Sequence, residues 1–112
     1  VQRRSEHARN FSFFDAPVGL FCTVDNDVGA GGAMDTAMFL QILCLAAVGR
    51  GLDTCIQKVW NDYHSVVLPL PGAPANERLV CGLALGYANR DFAADSFRTS
   101  REDVDVFTTF LS

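Results

Sequence analysis

Leu79-Val80-Cys81-Gly82-Leu83-Ala84-Leu85-Gly86-Tyr87 is the stretch that decides the fold. It is apolar throughout and contains neither proline nor charge, the pattern of a strand buried on both faces. It predicts a strand over 78–87. Upstream, Val18-Gly19-Leu20-Phe21-Cys22-Thr23-Val24 is β-branched and aromatic, with Pro17 at its entry, and predicts a strand over 17–24. Asp25-Asn26-Asp27 ends it with turn chemistry. A short strand is expected over 52–56. Between these lies a run of good helix formers, Ala33 to Ala47, which predicts a helix over 33–49. Gly29-Ala30-Gly31-Gly32 is expected as its flexible lead-in, and Gly49-Arg50-Gly51 as its stop. The helix is apolar nearly all round, which suits a core or an interface. Asp35 and Gln41 interrupt the run and argue against a membrane span.

The remaining segments are less regular. Residues 1–9 suit a helix, and Asn10-Phe11-Ser12-Phe13-Phe14-Asp15 reads as a packed loop. Asn61 or Asp62 is expected to cap a short helix that ends before Pro69. Pro69 to Pro74 reads as a rigid turn. Eight of the seventeen residues 89–105 are charged, and Val104 to Leu111 turns apolar again, as a terminal strand or helix would. There is no repeat and no convincing linker.

The chain has 112 residues and a net charge of −4, enough for one domain with a single core. At 49% hydrophobic and 20% charged residues it is not a disordered sequence. Net acidity argues against non-specific binding to nucleic acid or to an anionic membrane. Cys22, Cys44, Cys55 and Cys81 show no C-x-x-C spacing and sit in apolar surroundings. They are expected to be reduced, structural thiols of a cytoplasmic protein. With His7 and His64 as the two histidines, no metal site is expected. The first residues carry no signal-peptide pattern, and a start at Val1 suggests a chain that begins inside a longer reading frame.

No nucleophile elbow, Walker loop or zinc motif is present, and no catalytic side chain is assigned. Two candidates for phosphate binding remain. The glycine run before the long helix could offer backbone N–H groups. Arg98-Thr99-Ser100-Arg101 is better: two guanidiniums bracket two hydroxyls and could grip a phosphate by charge-assisted bonds. The competing readings are a simple helix lead-in and a solvated arginine pair. Trp60 and Tyr63 could line a ligand pocket, although aromatics at helical spacing are more often core, and His64, with no nucleophile nearby in sequence, reads as a structural histidine rather than a catalytic one.

Five segments taken together resemble the FMN-dependent nitroreductase family. They are Phe13 to Leu20, the Met34-Asp35-x-x-Met38-Phe39-x-Gln41 helix, Arg50 to Cys55, Leu79 to Tyr87, and Phe97-Arg98-Thr99-Ser100-Arg101-Glu102. They occur in the family's order and spacing, from about Asn10 to the end, and match its C-terminal half. The resemblance implies an α+β fold with a mixed, mainly antiparallel sheet, flanking helices and a long central apolar helix. Residues 1–112 would form the C-terminal part of a single such domain.

The resemblance also implies a partial flavin site. The turn Cys55-Ile56-Gln57-Lys58 matches the one whose backbone N–H groups face the isoalloxazine ring, with Ile56 in place of the family's proline. Asp35 falls where the family can place a polar residue near the flavin. Arg98 and Arg101 match the late basic pair that completes the phosphate grip. Arg3-Arg4-Ser5 looks like the family's N-terminal phosphate motif but stands at the wrong place in the order, and is taken as a lookalike. NAD(P)H would give hydride to FMN, and a nitroaromatic or quinone-like acceptor would receive the electrons; the cofactor supplies the chemistry. The sites would form in an intertwined homodimer. The alternative is a truncated, flavin-free dimerisation or binding module without catalysis.

Overall fold

The computed structural model describes residues 2–69, 72–92 and 97–111. Its elements run α1 (Gln2–Arg9), β1 (Val18–Asp25), α2 (Gly29–Val48), β2 (Asp53–Gln57), α3 (His64–Val67), β3 (Glu77–Gly86) and α4 (Val104–Phe107). Short 3-10 segments occupy Asn10–Asp15, Asn26–Val28 and Lys58–Tyr63. The three strands form one antiparallel sheet in the order β1-β3-β2. All three expected strands are present, each within one residue of its expected ends.

β3 is central because its two faces have different jobs. Leu79, Cys81 and Leu83 are buried, and Cys81 and Leu83 join Leu40 of α2 in the core. Cys22, Leu43, Cys44 and Leu85 pack around them. The opposite face is made of small residues, Gly82, Ala84 and Gly86, because rings and a proline lie on it. A Cβ on Gly82 would sit 2.2 Å from Cδ1 of Trp60, and one on Gly86 2.6 Å from Cδ of Pro17. Phe13 stacks on Trp60 with centroids 5.1 Å apart, while Phe11 and Phe21 meet Trp60 edge-on. One strand thus separates an aliphatic layer from an aromatic one, and period-2 alternation of large and small residues makes that possible.

The long helix begins at Gly29, four residues before the expected start. The glycine run is not a flexible lead-in. Gly29 takes φ +58, which admits the chain to the helix. Gly32 is buried, and a Cβ there would lie 2.0 Å from Cγ2 of Val28. Close packing therefore outweighs the helix-propensity cost of glycine, about 1 kcal/mol each. Gly32, Thr36, Leu40 and Ala47 form the buried stripe, and Thr36 Oγ1 donates to the Gly32 carbonyl at 2.7 Å. Gly51, at φ +72, closes the other end, and Leu52 N–H donates to the Ala47 carbonyl.

The rest of α2 is open. Met34, Met38, Phe39, Ile42, Leu45 and Val48 are each 56–67% exposed. By length and composition the stretch Asn26–Val48, with mean hydropathy 1.5, is apolar enough to cross a membrane, so Asp35 and Gln41 do not break it as expected. Its buried stripe lies on the sheet instead, as in a core or interface helix.

Three further expectations change. Neither Asn61 nor Asp62 caps a helix with its side chain; the segment is 3-10 from Lys58 to Tyr63 and then α-helical, with the His64 ring bonded to the Asn61 carbonyl. Cys22, Cys44 and Cys81 are core thiols, but Cys55 is exposed. Of the apolar terminal stretch only Val104–Phe107 is regular, as α4, and the stretch remains at the surface, with Leu111 93% exposed. The radius of gyration is 16.9 Å, against about 13 Å for a compact chain of this length. Part of the Pro69–Pro74 turn and part of the charged stretch 89–105 lie outside the described residues, as do the side chains of Arg3 and Arg4.

Candidate functional site

β2 is an edge strand, paired to β3 alone among the described strands, so part of its backbone faces outward. The four residues expected to face a ligand, Cys55, Ile56, Gln57 and Lys58, carry the chain out of this edge into the 3-10 segment. Cys55, Ile56 and Lys58 are exposed, and Lys58 pairs loosely with Asp62 at 3.9 Å. Gln57 is different: it is 2% exposed and points inward. Its Nε2 donates to the backbone carbonyl of Asn10 at 3.0 Å and to Asn10 Oδ1 at 3.2 Å. Its Oε1 accepts from Trp60 Nε1 at 3.4 Å. The Gln57 side chain is therefore spent inside the protein, and this segment offers outward the side chains of Cys55, Ile56 and Lys58 together with the outward backbone groups of an edge strand.

Asn10 opens a tight segment. Phe13, Phe14 and Asp15 take φ of +52, +55 and +61, three non-glycine residues in a row in the left-handed region. Each costs on the order of 1 kcal/mol or more unless its surroundings hold it. Here Phe13 is held on Trp60, and Arg9 pairs with Asp15 at 3.3 Å and with Glu6 at 3.5 Å. The Arg9 guanidinium also lies over the rings of Phe14 and Phe92.

A second clamp fixes the loop after β3. Asp53, at the start of β2, accepts from the Ala88 N–H at 3.0 Å and from the Arg90 guanidinium at 2.8 Å. The Ala88 N–H first, and the Arg90 charge after it, hold the Asp53 carboxyl below its ordinary range against a partial desolvation. Neither this clamp nor the Asn10 contact is legible from motifs; the one available signal is a polar residue, Gln57, at the end of an apolar strand pattern.

Arg98 and Arg101 are exposed on the segment beyond this loop. Arg101 bonds to oxygens of Thr99 and Ser100, its own neighbours. Among the described residues neither arginine has an ion-pair partner, and the hydrogen bonds described for 97–111 close within that segment. Asp35 stands exposed on α2. Within the chain, then, Cys55 to Lys58 are contiguous, whereas no described bond joins them to Asp35, Arg98 or Arg101. Trp60 belongs to the aromatic layer. His64 lines a shallow cavity with Ala33, Asn61 and Arg78. No cluster of His, Cys, Asp or Glu among the described residues could hold a metal.

The sheet, the long helix and the order of these segments have known counterparts. A sequence model of the Nitroreductase family matches residues 1–87. The chain belongs to this family. It is 40% identical over 109 residues to a chloronitrobenzene nitroreductase of Comamonas testosteroni, covering 97% of this chain and 48% of that protein. It is 38% identical to a 4-nitrobenzoate reductase of Nocardioides sp. (strain LMS-CY), covering 97% of this chain and 44% of the other. The chain therefore spans about half the length of the curated relatives it matches. Crystal structures agree. The FMN- and NADPH-dependent nitroreductase NfnB from sphigopyxis sp. strain HMH superposes with TM-score 0.92 at 28% identity, over 99% of this chain and 50% of that one. The FMN-dependent NfnB of Mycobacterium smegmatis, in complex with NADPH, gives 0.91 at 25%, also over 99% and 50%. The nitroreductase-like α+β fold expected from the five segments is the fold of this chain.

Proposed function

We propose that this nitroreductase-family chain supplies part of an FMN site in an NAD(P)H-dependent oxidoreductase that reduces nitroaromatic or quinone-like acceptors. The observation that carries the reading is the pair Arg98 and Arg101. Two surface guanidiniums three residues apart have no described ion-pair partner, although Asp91, Glu102, Asp103 and Asp105 lie close in sequence. That chemistry fits a phosphate. The other end of the cofactor fits the outward backbone of Cys55 to Lys58, with exposed Ile56 as an apolar neighbour for a ring edge. Asp35 is the polar residue assigned to the flavin's surroundings from α2.

When bound, FMN would accept hydride from the nicotinamide and pass reducing equivalents to the acceptor. The chain's own contribution would be binding and orientation: the edge strand β2 would present peptide N–H groups to the ring, and the arginines would neutralise the phosphate. No side-chain nucleophile is required, in keeping with the lack of one in the motifs.

The complete site forms in a homodimer. The open side of α2 and the exposed apolar end, Phe97, Val106, Phe107 and Phe110, support this, because such surfaces are unusual on a free monomer. Four thiols outside any disulfide support a cytoplasmic location. The second reading, a flavin-free dimerisation module, is favoured by Ile56, since isoleucine leaves the turn without the family's rigid proline. NADPH oxidation with nitrobenzene or 4-nitrobenzoate, measured with and without added FMN, separates the two. FMN-dependent turnover supports the oxidoreductase. A folded dimer that neither binds FMN nor turns over supports the module.

A further inference from the structure

The side chain of Gln57 is the most deeply buried polar group in the described core, and it is fully used. Its amide NH2 meets both oxygens of Asn10, and its carbonyl meets the Trp60 indole, which itself lies on Gly82. Asn10 is 47 residues earlier in the chain, at the junction of α1 with the left-handed turn. A buried primary amide held at three points cannot rotate without orphaning polar atoms, each of which would then be left buried and unpaired. On either side of it, Ile56 and Lys58 have no such anchor; both are exposed. The ladder to Leu83 and Gly82 holds the backbone of Ile56 and Gln57 on the β3 side, and the Gln57 side chain pins from behind the point where the chain leaves the strand for Lys58.

We infer that Gln57 is a positioning residue: its side chain, locked to Asn10 and Trp60, sets the orientation of the peptide groups at 56–58 that face the flavin ring. This deepens the proposed FMN reading and rests on it. The ring's electron affinity depends on the hydrogen bonds it receives, so a turn that can reorient would change the potential of the bound flavin as well as its affinity. A residue that only stabilised the fold would leave that potential alone.

The test compares wild type with Gln57→Leu, Gln57→Glu and Asn10→Ala. FMN affinity is measured by titration and the midpoint potential of bound FMN by spectroelectrochemistry, with far-UV circular dichroism as the control for folding. Gln57→Leu is expected to weaken FMN binding about tenfold, the equivalent of one lost buried hydrogen bond, and to shift the potential. Gln57→Glu is expected to be impaired at pH 8 and to recover towards pH 5. A carboxylate repels the two Asn10 oxygens, whereas the protonated acid can donate to one of them. Asn10→Ala keeps the backbone carbonyl and removes one acceptor, so it gives a smaller shift in the same direction even where the Gln57 variants fail to fold. Folded variants with wild-type FMN affinity and potential overturn the inference while leaving the FMN reading intact. A folded wild type that binds no FMN overturns both.

Discussion

Trp60 rests directly on Gly82, so closely that a methyl group at residue 82 would come within 2.2 Å of the indole Cδ1. This contact joins the segment that leaves β2 to the central strand, and it explains why β3 carries glycine at residue 82. Gly82→Ala is expected to destabilise the fold by about 1–3 kcal/mol, the usual cost of forcing extra volume into a packed layer. Urea unfolding followed by Trp60 fluorescence measures it. In a Trp60→Ala background, read by circular dichroism, most of the penalty of Gly82→Ala should vanish, because the clash partner is gone.

The Asp53 clamp makes a prediction in acid. Its folded-state carboxyl titrates below its unfolded value, so its contribution is present above the ordinary Asp range and is lost as pH falls through the lowered value. Between about pH 5 and pH 3 wild type should lose more stability than Asp53→Asn, since asparagine has no charge to lose there. Urea midpoints across that range check this. Parallel pH profiles for the two proteins would show that the Ala88 and Arg90 contacts carry no net stability.

The open side of α2 should hold two copies together. Ile42 is 66% exposed in the single chain, so Ile42→Lys leaves the fold intact and places a charge in the proposed contact. Sedimentation analysis should show dimeric wild type and a monomeric variant with unchanged circular dichroism. A variant that stays dimeric would move the contact away from this face.

Arg98→Ala and Arg101→Ala should each weaken FMN binding by roughly tenfold, and the double variant by more, because a phosphate left with one guanidinium is under-neutralised. Both residues are exposed and make no described bond to the body of the chain, so thermal stability without FMN should not change. Flavin-fluorescence titrations measure the effect. Equal affinity in all variants would remove both arginines from the site.

Much of this fold can be read from the chain. Residues 82–86 alternate small and large side chains, Gly82-Leu83-Ala84-Leu85-Gly86, and that pattern separates the two layers once a helix and a ring cluster are available to cover them. The start of α2 escapes such a reading because glycine usually marks flexibility, whereas Gly32 serves to let Val28 approach. Cys55 falls in with the core thiols on paper because an edge strand and a central strand look alike over five residues. The hidden role of Gln57 depends on Asn10, 47 positions away, and no local pattern carries such a contact. The left-handed turn at Phe13 to Asp15 is equally invisible, since phenylalanine rarely adopts that conformation and does so here because Trp60 and Arg9 hold it there.

The most direct measurement is a crystal structure of the protein with FMN bound. One FMN is expected, with its ring against the backbone of residues 55–58 and its phosphate gripped by Arg98 or Arg101, from the same protomer or its partner. An FMN that touches one of these segments and stays out of reach of the other would contradict it.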